Sequence, residues 1–222
     1  MRLNKFIAEN LGVSRRQADD LIASGRVKLR GEVALLGARL EIGDELFVDG
    51  KKIDTTHETA YTYIALNKPV GYVCSRKAQG DTPTLYDLLP EEYQSLKTVG
   101  RLDKNSSGLI LLTNDGDFAY KHTHPSFYKI KVYEVTLDKA LEPLHQQMIS
   151  DFGVQLEDGP SKLFLERLDD SRTSWRVEMS EGRNRQIRRT FASLGYKVKT
   201  LHRISFGDYE LGNLESGKFI NL

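Results

Sequence analysis

The sequence contains only one cysteine, Cys74, among its 222 residues. A single thiol excludes a disulfide within the chain and a zinc site built from several cysteines. No histidine lies near Cys74 in the sequence. We therefore expect this thiol to serve packing rather than chemistry.

Long hydrophobic runs are also missing. No segment approaches the roughly 18 apolar residues that a membrane span requires. The first residues enter an amphipathic pattern directly, without the charged and apolar regions of a secretory signal. The sequence therefore predicts a cytoplasmic protein without membrane contact, and a monomer is the default expectation.

An excess of charge of one sign is absent, because the formal net charge is +1. The charges are nevertheless distributed unevenly. The window 182–207 has no acidic residue but holds seven basic ones, and the first 31 residues hold seven basic and three acidic ones. Such clusters indicate contacts with nucleic-acid phosphates. An ordinary solvated basic face remains the alternative for either cluster alone.

Two helices and several short strands are predicted near the N-terminus. Apolar residues at helical spacing predict a helix from Leu3 to Leu11, ended by Gly12. Ser14 and Gln17 form a capping-box pattern for a second helix. Strands are expected to follow, one of them over Arg39 to Ile42. We expect a small domain over 1–52, a polar linker over 53–60 and a second domain over 61–222.

The second domain mixes helices and strands without a regular βαβ alternation, which favours an α+β fold. Lys131 to Leu137 alternates as a strand does, placing Lys131 and Tyr133 on one face. Gln186 to Leu194 has the apolar stripe of a helix.

Chemistry is most plausible in the polar loop from Gly100 to Gly108, which runs into an apolar strand. Arg101 and Lys104 flank Asp103 and would keep its carboxylate ionised, as a nucleophile requires. An Asx turn made by the Asp103 side chain is the structural alternative.

A second candidate segment, Glu181 to Arg189, brings several guanidinium groups to a loop that leads into a helix. Arginine forks bind phosphates or carboxylates, although an exposed basic helix face explains the pattern equally well. Tyr133 could hold an extruded base or simply pack in the core. The histidines show no metal-ligand spacing, and glycine loops for phosphate binding are missing. We therefore expect no metal and no cofactor.

Three stretches together resemble the pseudouridine synthases of the RsuA type, in which an S4 RNA-binding domain precedes a catalytic domain. Residues 1–52 look like the S4 module through Arg2-Leu3-Asn4-Lys5, Ser14-Arg15-Arg16-Gln17-Ala18 and Gly25-Arg26-Val27. Leu66-Asn67-Lys68-Pro69 is similar to the start of the catalytic domain. Gly100-Arg101-Leu102-Asp103, with Gly108 to Gly116, is similar to the most diagnostic motif of the family.

The resemblance implies a small α/β domain followed by a larger, mainly antiparallel domain that converts uridine to pseudouridine in ribosomal RNA. It implies Asp103 as the catalytic carboxylate, Tyr133 as the active-site tyrosine and Arg188 as the partner of Asp103. Ser106 replaces the usual threonine, and Thr190 replaces the usual methionine. The substrate would be ribosomal RNA or a partly assembled ribosomal particle. We expect RNA contacts from Arg2, Lys5, Ser14, Arg15, Arg16, Arg26, Lys28, Arg101, Arg183, Arg185 and Arg189.

Two alternatives remain at this point. One is a catalytically inactive S4-type RNA-binding protein that acts in ribosome assembly. The other is a hydrolase that uses Asp103 to cleave a nucleoside or glycoside, which would normally need a second carboxylate that the sequence does not reveal.

Overall fold

The computed structural model describes residues 1–56, 60–76 and 80–222. The chain forms two compact units, Met1–Tyr61 and Thr62–Leu222. Within the described ranges, no helix combines the length and the hydropathy needed to cross a membrane.

The first unit packs two helices with a small antiparallel sheet. Strands β1 and β3 lie in the middle of this sheet, whose order is β2-β1-β3-β4. The core is formed by residues such as Leu3, Phe6, Ile22, Val27 and Leu46. The elements are α1 (Leu3–Leu11), α2 (Arg15–Ala23), β1 (Val27–Leu29), β2 (Glu32–Val33), β3 (Leu46–Val48) and β4 (Lys51–Ile53).

Local sequence signals determine both helices of this unit. Gly12 ends α1 with φ of 66°, a left-handed conformation that glycine adopts at little cost. Ser14 and Gln17 form the reciprocal capping box at the start of α2. Both predicted helices are therefore present.

The strand predicted over Arg39 to Ile42 is wrong. Only an isolated bridge between Arg2 and Arg39 forms there, because the segment's hydrogen bonds go to the start of the chain, for example from Leu40 N to Met1 O at 2.9 Å. The predicted linker 53–60 begins with Ile53, which belongs to β4, and its residues 57–59 lie outside the described residues.

The second unit is built on a long mixed sheet. Its elements are β5 (Tyr63–Lys68), β6 (Lys97–Val99), β7 (Ser107–Thr113), α3 (Gly116–Thr123), β8 (Lys131–Leu137), α4 (Pro143–Gln147), β9 (Val154–Leu156), β10 (Gly159–Ser161), β11 (Phe164–Arg167), β12 (Ser174–Met179), α5 (Gln186–Ser193), β13 (Val198–Phe206), β14 (Tyr209–Glu210) and β15 (Phe219–Asn221).

The main path through this sheet is β11-β12-β8-β13-β7-β5-β15, while β9 and β10 form a separate hairpin. Only the contact between β13 and β7 is parallel among the strand pairs of the described chain. Trp175, Phe191 and Ile110 are among the fully buried residues of its core. The mainly antiparallel α+β architecture agrees with the expected fold class.

The predicted strand from Lys131 to Leu137 is present with the same bounds, and the helix predicted from Gln186 ends one residue early at Ser193. From the sequence we expect the first strand of this unit to end at Leu66 and a turn to follow over Asn67-Lys68-Pro69. That prediction is wrong for Asn67 and Lys68, since both residues extend β5 and pair with β7. Strand β13, which the sequence analysis did not identify, lies at the centre of the sheet and contributes to the site.

Candidate active site

A cavity of about 940 Å³ opens at the junction of β8, β13, the Asp103 loop and the segment before α5. Its lining includes Asp103, Tyr133, Arg101 and Arg185. Asp103 and Tyr133, which lie 30 residues apart in the sequence and which the family resemblance implies as active-site residues, therefore line the same cavity.

The loop that carries Asp103 is held through its main chain. Ser106 N donates to the carbonyl of Asp103 at 3.0 Å, so a main-chain hydrogen bond closes the turn. An Asx turn would instead need the Asp103 carboxylate as the acceptor. Each of the remaining carbonyls from 102 to 106 also accepts a hydrogen bond. The donors are Cys74 Sγ, Gly71 N, Arg188 Nη2 and Lys68 Nζ, in that order, at 2.7–3.3 Å.

Two buried side chains contribute to this support. Lys68 is fully buried, and its ammonium also donates to Pro69 O at 2.8 Å. Burial lowers the pKa of Lys68, while Cys74 and Asp103 oppose that shift. Burial raises the pKa of the Cys74 thiol, which supports packing rather than nucleophilic chemistry for this cysteine. The loop is therefore rigid where it presents Asp103.

The arginine nearest to the Asp103 carboxylate is Arg185, whose Nη1 lies 3.5 Å from Oδ2. Arg185 adopts a positive φ of 48°, an uncommon conformation for a non-glycine residue that often marks functional sites. Arg188 was expected to pair with Asp103 but instead donates to the main-chain carbonyls of Asn105 and Val198 at 2.7 and 2.8 Å. Burial lowers its pKa, and nearby Arg185 adds to that effect.

Tyr133 and Arg203 are direct neighbours across β8 and β13. Tyr133 is buried and lines the cavity together with Leu201. Arg203 was counted above as part of a basic surface, but that interpretation is wrong because the residue is only 2% exposed. Its Nε donates to Leu109 O at 2.7 Å, which ties β13 to β7.

Lys131 lies on the same strand face as Tyr133, as its alternation predicted, and lines the cavity. Its ammonium donates to the carbonyls of Lys129, Ser180 and Glu181 at 3.1–3.4 Å. Burial and the neighbouring charge of Arg203 lower its pKa to about 8. Lys131 therefore links β8 to the segment that precedes α5.

Two of the arginines expected to contact RNA are engaged in ion pairs within the protein. Arg183 pairs with Asp158 and Glu181, each at 3.0 Å. Arg189 donates two hydrogen bonds to Asp158 at 2.7 and 3.0 Å. Arg189 lowers the pKa of Asp158 chiefly through its hydrogen bond. Of this group, Arg185 and the exposed Arg101 offer their guanidinium groups most openly to the cavity.

The residues of the first unit that were expected to contact RNA also fall into two groups, those with partners inside the protein and those that are exposed. Ser14 is occupied as a helix cap, and Arg26 forms a bidentate pair with Asp49 at 2.6 and 2.7 Å. Arg15 donates to Asn4 at 3.2 Å, and Lys5 lies 3.8 Å from Glu9. Arg2 and Arg16 are exposed, and Lys28 borders a surface concavity of about 340 Å³.

Sequence reasoning missed the roles of three residues. Asp158 and the buried Arg203 line the cavity, and Lys68 supports the Asp103 loop from the core. Asp158 lies in a hairpin turn, and no pattern in the sequence distinguishes it from other acidic turn residues. The polar triplet Asn67-Lys68-Pro69 is typical of an exposed turn, so the burial of Lys68 could not be expected from the sequence. The alternation of Leu201 and Arg203 could have identified β13 and the inward direction of this arginine.

Comparison with known proteins identifies the family of the chain. The family profile described as RNA pseudouridylate synthase matches residues 62–193, and the S4 domain profile matches residues 1–46. The chain is 39% identical to the ribosomal small subunit pseudouridine synthase A of Pasteurella multocida, covering 100% of this chain and 96% of that protein. It is 35% identical to the ribosomal large subunit pseudouridine synthase B of Bacillus subtilis, with 97% and 89% covered.

A crystal structure of a pseudouridylate synthase also matches, with a TM-score of 0.70, 37% identity and coverage of 100% of this chain and 96% of that one. These similarities, together with the Asp103 cavity, define an RNA-modifying enzyme with an N-terminal S4 domain. The chain belongs to the RNA pseudouridylate synthase family, and the resemblance seen in its motifs is confirmed.

Proposed function

We propose that this protein isomerises specific uridines of ribosomal RNA to pseudouridine, with Asp103 as the essential carboxylate. The observation that carries the proposal is the placement of Asp103, on a loop with a fully hydrogen-bonded main chain, in one cavity with Tyr133. The relatives named for small-subunit and large-subunit ribosomal synthases support ribosomal RNA as the substrate class.

The reaction must break the bond between C1′ of ribose and N1 of uracil, turn the base and join C1′ to C5. The proton on C5 leaves, and N1 gains a proton. A carboxylate suits this chemistry because it can trap or stabilise an oxocarbenium-like sugar. Asp103 fulfils that role either by attacking C1′ or by promoting loss of the 2′ proton, and both routes need its negative charge.

Tyr133 supplies a wall for the extruded uracil, because a base must leave its stack before its glycosidic bond can be reached. Arg185 lies against the Asp103 carboxylate and balances its charge. Arg188 acts on the main chain of the same loop. In this proposal Tyr133 and Asp103 touch the substrate, while Arg188 positions the loop.

The S4 domain and the cavity rim supply the phosphate contacts in this proposal. The residues that we assign to RNA are those that remain accessible, among them Arg2, Arg16, Lys28, Arg101 and Arg185. We further propose that the enzyme acts as a monomer in the cytoplasm, where ribosomal RNA or an assembling particle is found, and that the protein side chains suffice without a cofactor.

Tritium release from RNA labelled at uridine C5 tests the proposal, since C5 loses its hydrogen only when pseudouridine forms. Wild type and Asp103→Asn are compared on small-subunit and large-subunit transcripts and on partly assembled particles. We expect release by the wild type on one of these substrates, and none by Asp103→Asn despite similar RNA affinity. Activity retained by Asp103→Asn would refute the role of the carboxylate, and no release from any substrate would favour the RNA-binding alternative.

A further inference from the structure

One wall of the cavity is an exposed aromatic segment that the reaction described above does not use. It connects α3 to β8 and contains His124, Phe127 and Tyr128. His124 and Tyr128 line the same cavity as Asp103. A wall of this kind is notable because exposed aromatic rings beside an RNA-modifying site can stack on bases.

Tyr128 is the most exposed ring of this segment, at 75% of its surface. Within the described parts of the chain, it makes no ring stack and its hydroxyl has no hydrogen-bond partner. Its backbone has φ of 44° and ψ of 45°, a left-handed conformation that costs a bulky residue of order 1–3 kcal/mol. Folding therefore maintains a strained backbone that exposes an apolar ring to solvent.

The other aromatic residues of this segment contact one another and Tyr120 of α3. The Tyr120 ring lies 4.7 Å from the ring of His124 and 5.7 Å from that of Phe127. His124 Nδ1 accepts a hydrogen bond from Ser126 N at 3.3 Å, and Tyr128 N donates to Pro125 O at 3.3 Å. The backbone of Tyr128 is thus held in a hydrogen-bonded turn at the cavity wall.

The charge of the cavity identifies the kind of ligand. Its lining carries three acidic side chains, Asp103, Asp158 and Glu181, against six basic ones, Arg101, Lys129, Lys131, Arg183, Arg185 and Arg203. A cationic cavity with an exposed aromatic wall suits a polyanion that carries flat rings, namely single-stranded RNA. Its volume of about 940 Å³ lies near the upper end of the range of about 300–1,000 Å³ for small-ligand sites, which leaves room beyond one base.

We propose that Tyr128 is a stacking platform for an unpaired base adjacent to the target uridine. The stack would hold the neighbouring nucleotide outside the RNA helix while Tyr133 packs against the uracil at Asp103. This inference rests on the proposed function, because it assumes an RNA substrate whose target base is extruded. It assigns to the segment 124–130 a role in RNA affinity.

The test compares wild type with Tyr128→Ala, Tyr128→Phe and Tyr128→Asn on the ribosomal transcripts used above. Loss of a base–aromatic stack should raise KM by about 5- to 150-fold in the alanine and asparagine variants, with kcat within about twofold of wild type. Phenylalanine should preserve KM. Asparagine tolerates the left-handed backbone better than alanine, so a thermally stable Tyr128→Asn variant separates loss of stacking from loss of folding.

Phe152 gives a matched control, since its ring is 76% exposed and lies away from the cavity. Phe152→Ala should leave KM unchanged. An abasic nucleotide beside the target should weaken wild type but add nothing to Tyr128→Ala. Unchanged KM in Tyr128→Ala, or an equal loss in Phe152→Ala or Tyr128→Phe, would overturn the inference.

Binding is measured separately from turnover. The Kd for the same transcripts is determined for each Tyr128 variant combined with Asp103→Asn and compared with the Kd of Asp103→Asn alone. Loss of the stack in Tyr128→Ala and Tyr128→Asn should weaken binding there by a similar factor, even for a transcript that wild type fails to turn over. Failure of the inference and failure of the proposed function are thereby distinguished.

Discussion

Arg188 donates a hydrogen bond to the main-chain carbonyl of Asn105 at 2.7 Å, two residues beyond Asp103. Its other terminal nitrogen donates to Val198 O at 2.8 Å. One guanidinium group therefore joins α5 to the Asp103 loop and to the start of β13. A lysine has a single ammonium group and cannot reproduce this fork.

We expect Arg188→Lys to lower kcat by at least about tenfold with a smaller change in KM, because small misplacements of catalytic groups cost up to about 100-fold. Arg185→Lys should cost less, since it alters one contact of 3.5 Å to the carboxylate. Tritium release at saturating RNA measures both. A larger loss of kcat in Arg185→Lys would show that the charge beside Asp103 matters more than the position of its loop.

Asp158 binds Arg183 in the segment before α5 and Arg189 within α5, and so holds both to the hairpin of β9 and β10. An amide at this position would keep one acceptor but lose the charge that both guanidinium groups need. We expect Asp158→Asn to lower kcat by at least about fivefold through displacement of Arg185 and its neighbours. Asp170→Asn is the control, because it removes a similar surface pair with Arg167 away from the cavity.

The depressed pKa of Asp158 also gives a direction for pH dependence. A carboxylate whose pKa is lower in the folded than in the unfolded state stabilises the fold above its ordinary pKa of about 3.9 and loses that contribution as pH falls through the folded value. Urea unfolding of Asp158→Asn should therefore show a weaker loss of stability on acidification than wild type. Parallel losses in the two proteins would contradict this assignment.

Gly108 approaches the main chain of Arg203 more closely than any side chain would allow. A Cβ atom there would lie 2.2 Å from Arg203 O and 2.6 Å from Arg203 N, and the residue has φ of 104°. We expect Gly108→Ala to reduce the free energy of unfolding by about 3 kcal/mol or more, from steric overlap and strain.

Gly116→Ala is the control for this prediction in urea unfolding. Gly116 begins α3 and has open space where a Cβ would lie, so alanine there should be neutral or stabilising by up to about 1 kcal/mol. Equal stability of the two variants would mean that β13 and β7 can separate without cost.

Arg16 and Arg26 should contribute differently to RNA binding. Arg16 is exposed at the start of α2, whereas Arg26 is neutralised by its bidentate pair with Asp49. We expect Arg16→Ala to reduce the slope of log Kd against log salt by about one. The charge-neutral double variant Arg26→Ala with Asp49→Ala should keep the slope. A reduced slope in the double variant would show that RNA opens this ion pair.

Sequence patterns predicted the elements whose signals are local. The capping box at Ser14, the glycine stop at Gly12 and the alternation in β8 each depend on residues that are close in sequence, and each element is present. The motif around Asp103 likewise indicated its position in the site. The family resemblance was needed to single it out from an ordinary turn.

Partners of charged side chains could not be predicted in the same way. Arg185, Arg188 and Arg189 lie within five residues, yet they contact a carboxylate, two main-chain carbonyls and a hairpin aspartate. Arg185 precedes α5, while Arg188 and Arg189 project from different positions on the helix. Their partners are therefore determined by the positions of β9, β10 and β13 in the fold. Charge counting in the sequence combined all of them with the buried Arg203 into one basic surface.

Lys131 should make the enzyme sensitive to mildly alkaline pH. A charged ammonium has three N–H groups, which match the carbonyls of Lys129, Ser180 and Glu181. A neutral amine has two, so deprotonation near the lowered pKa of about 8 leaves one carbonyl without a donor. We therefore expect kcat to fall as pH rises through about 8, because the segment before α5 loosens.

The effect of Lys131 on the stability of the fold has the opposite pH dependence to its effect on kcat. The unfolded chain, with an ordinary lysine pKa of about 10.4, binds more protons than the folded one between the two values. This group alone therefore makes the folded state relatively more stable as pH rises from about 8 to 10.4. A fall in activity in this window would consequently not reflect global unfolding, and thermal melts at pH 7 and pH 9 check that point.

A pH–rate profile from pH 7 to 9.5 measures the effect on turnover. Lys131→Arg stays charged over this range and should remove the step near pH 8. Lys129→Arg is the control, because it leaves Lys131 as the donor to the carbonyls of Ser180 and Glu181. This variant should retain the step. A step that persists in Lys131→Arg would assign it to another group in the enzyme or in the RNA. If the step near pH 8 disappears in Lys131→Arg but not in Lys129→Arg, the hydrogen bonds of Lys131 keep the segment before α5, which carries Arg185, in place beside Asp103.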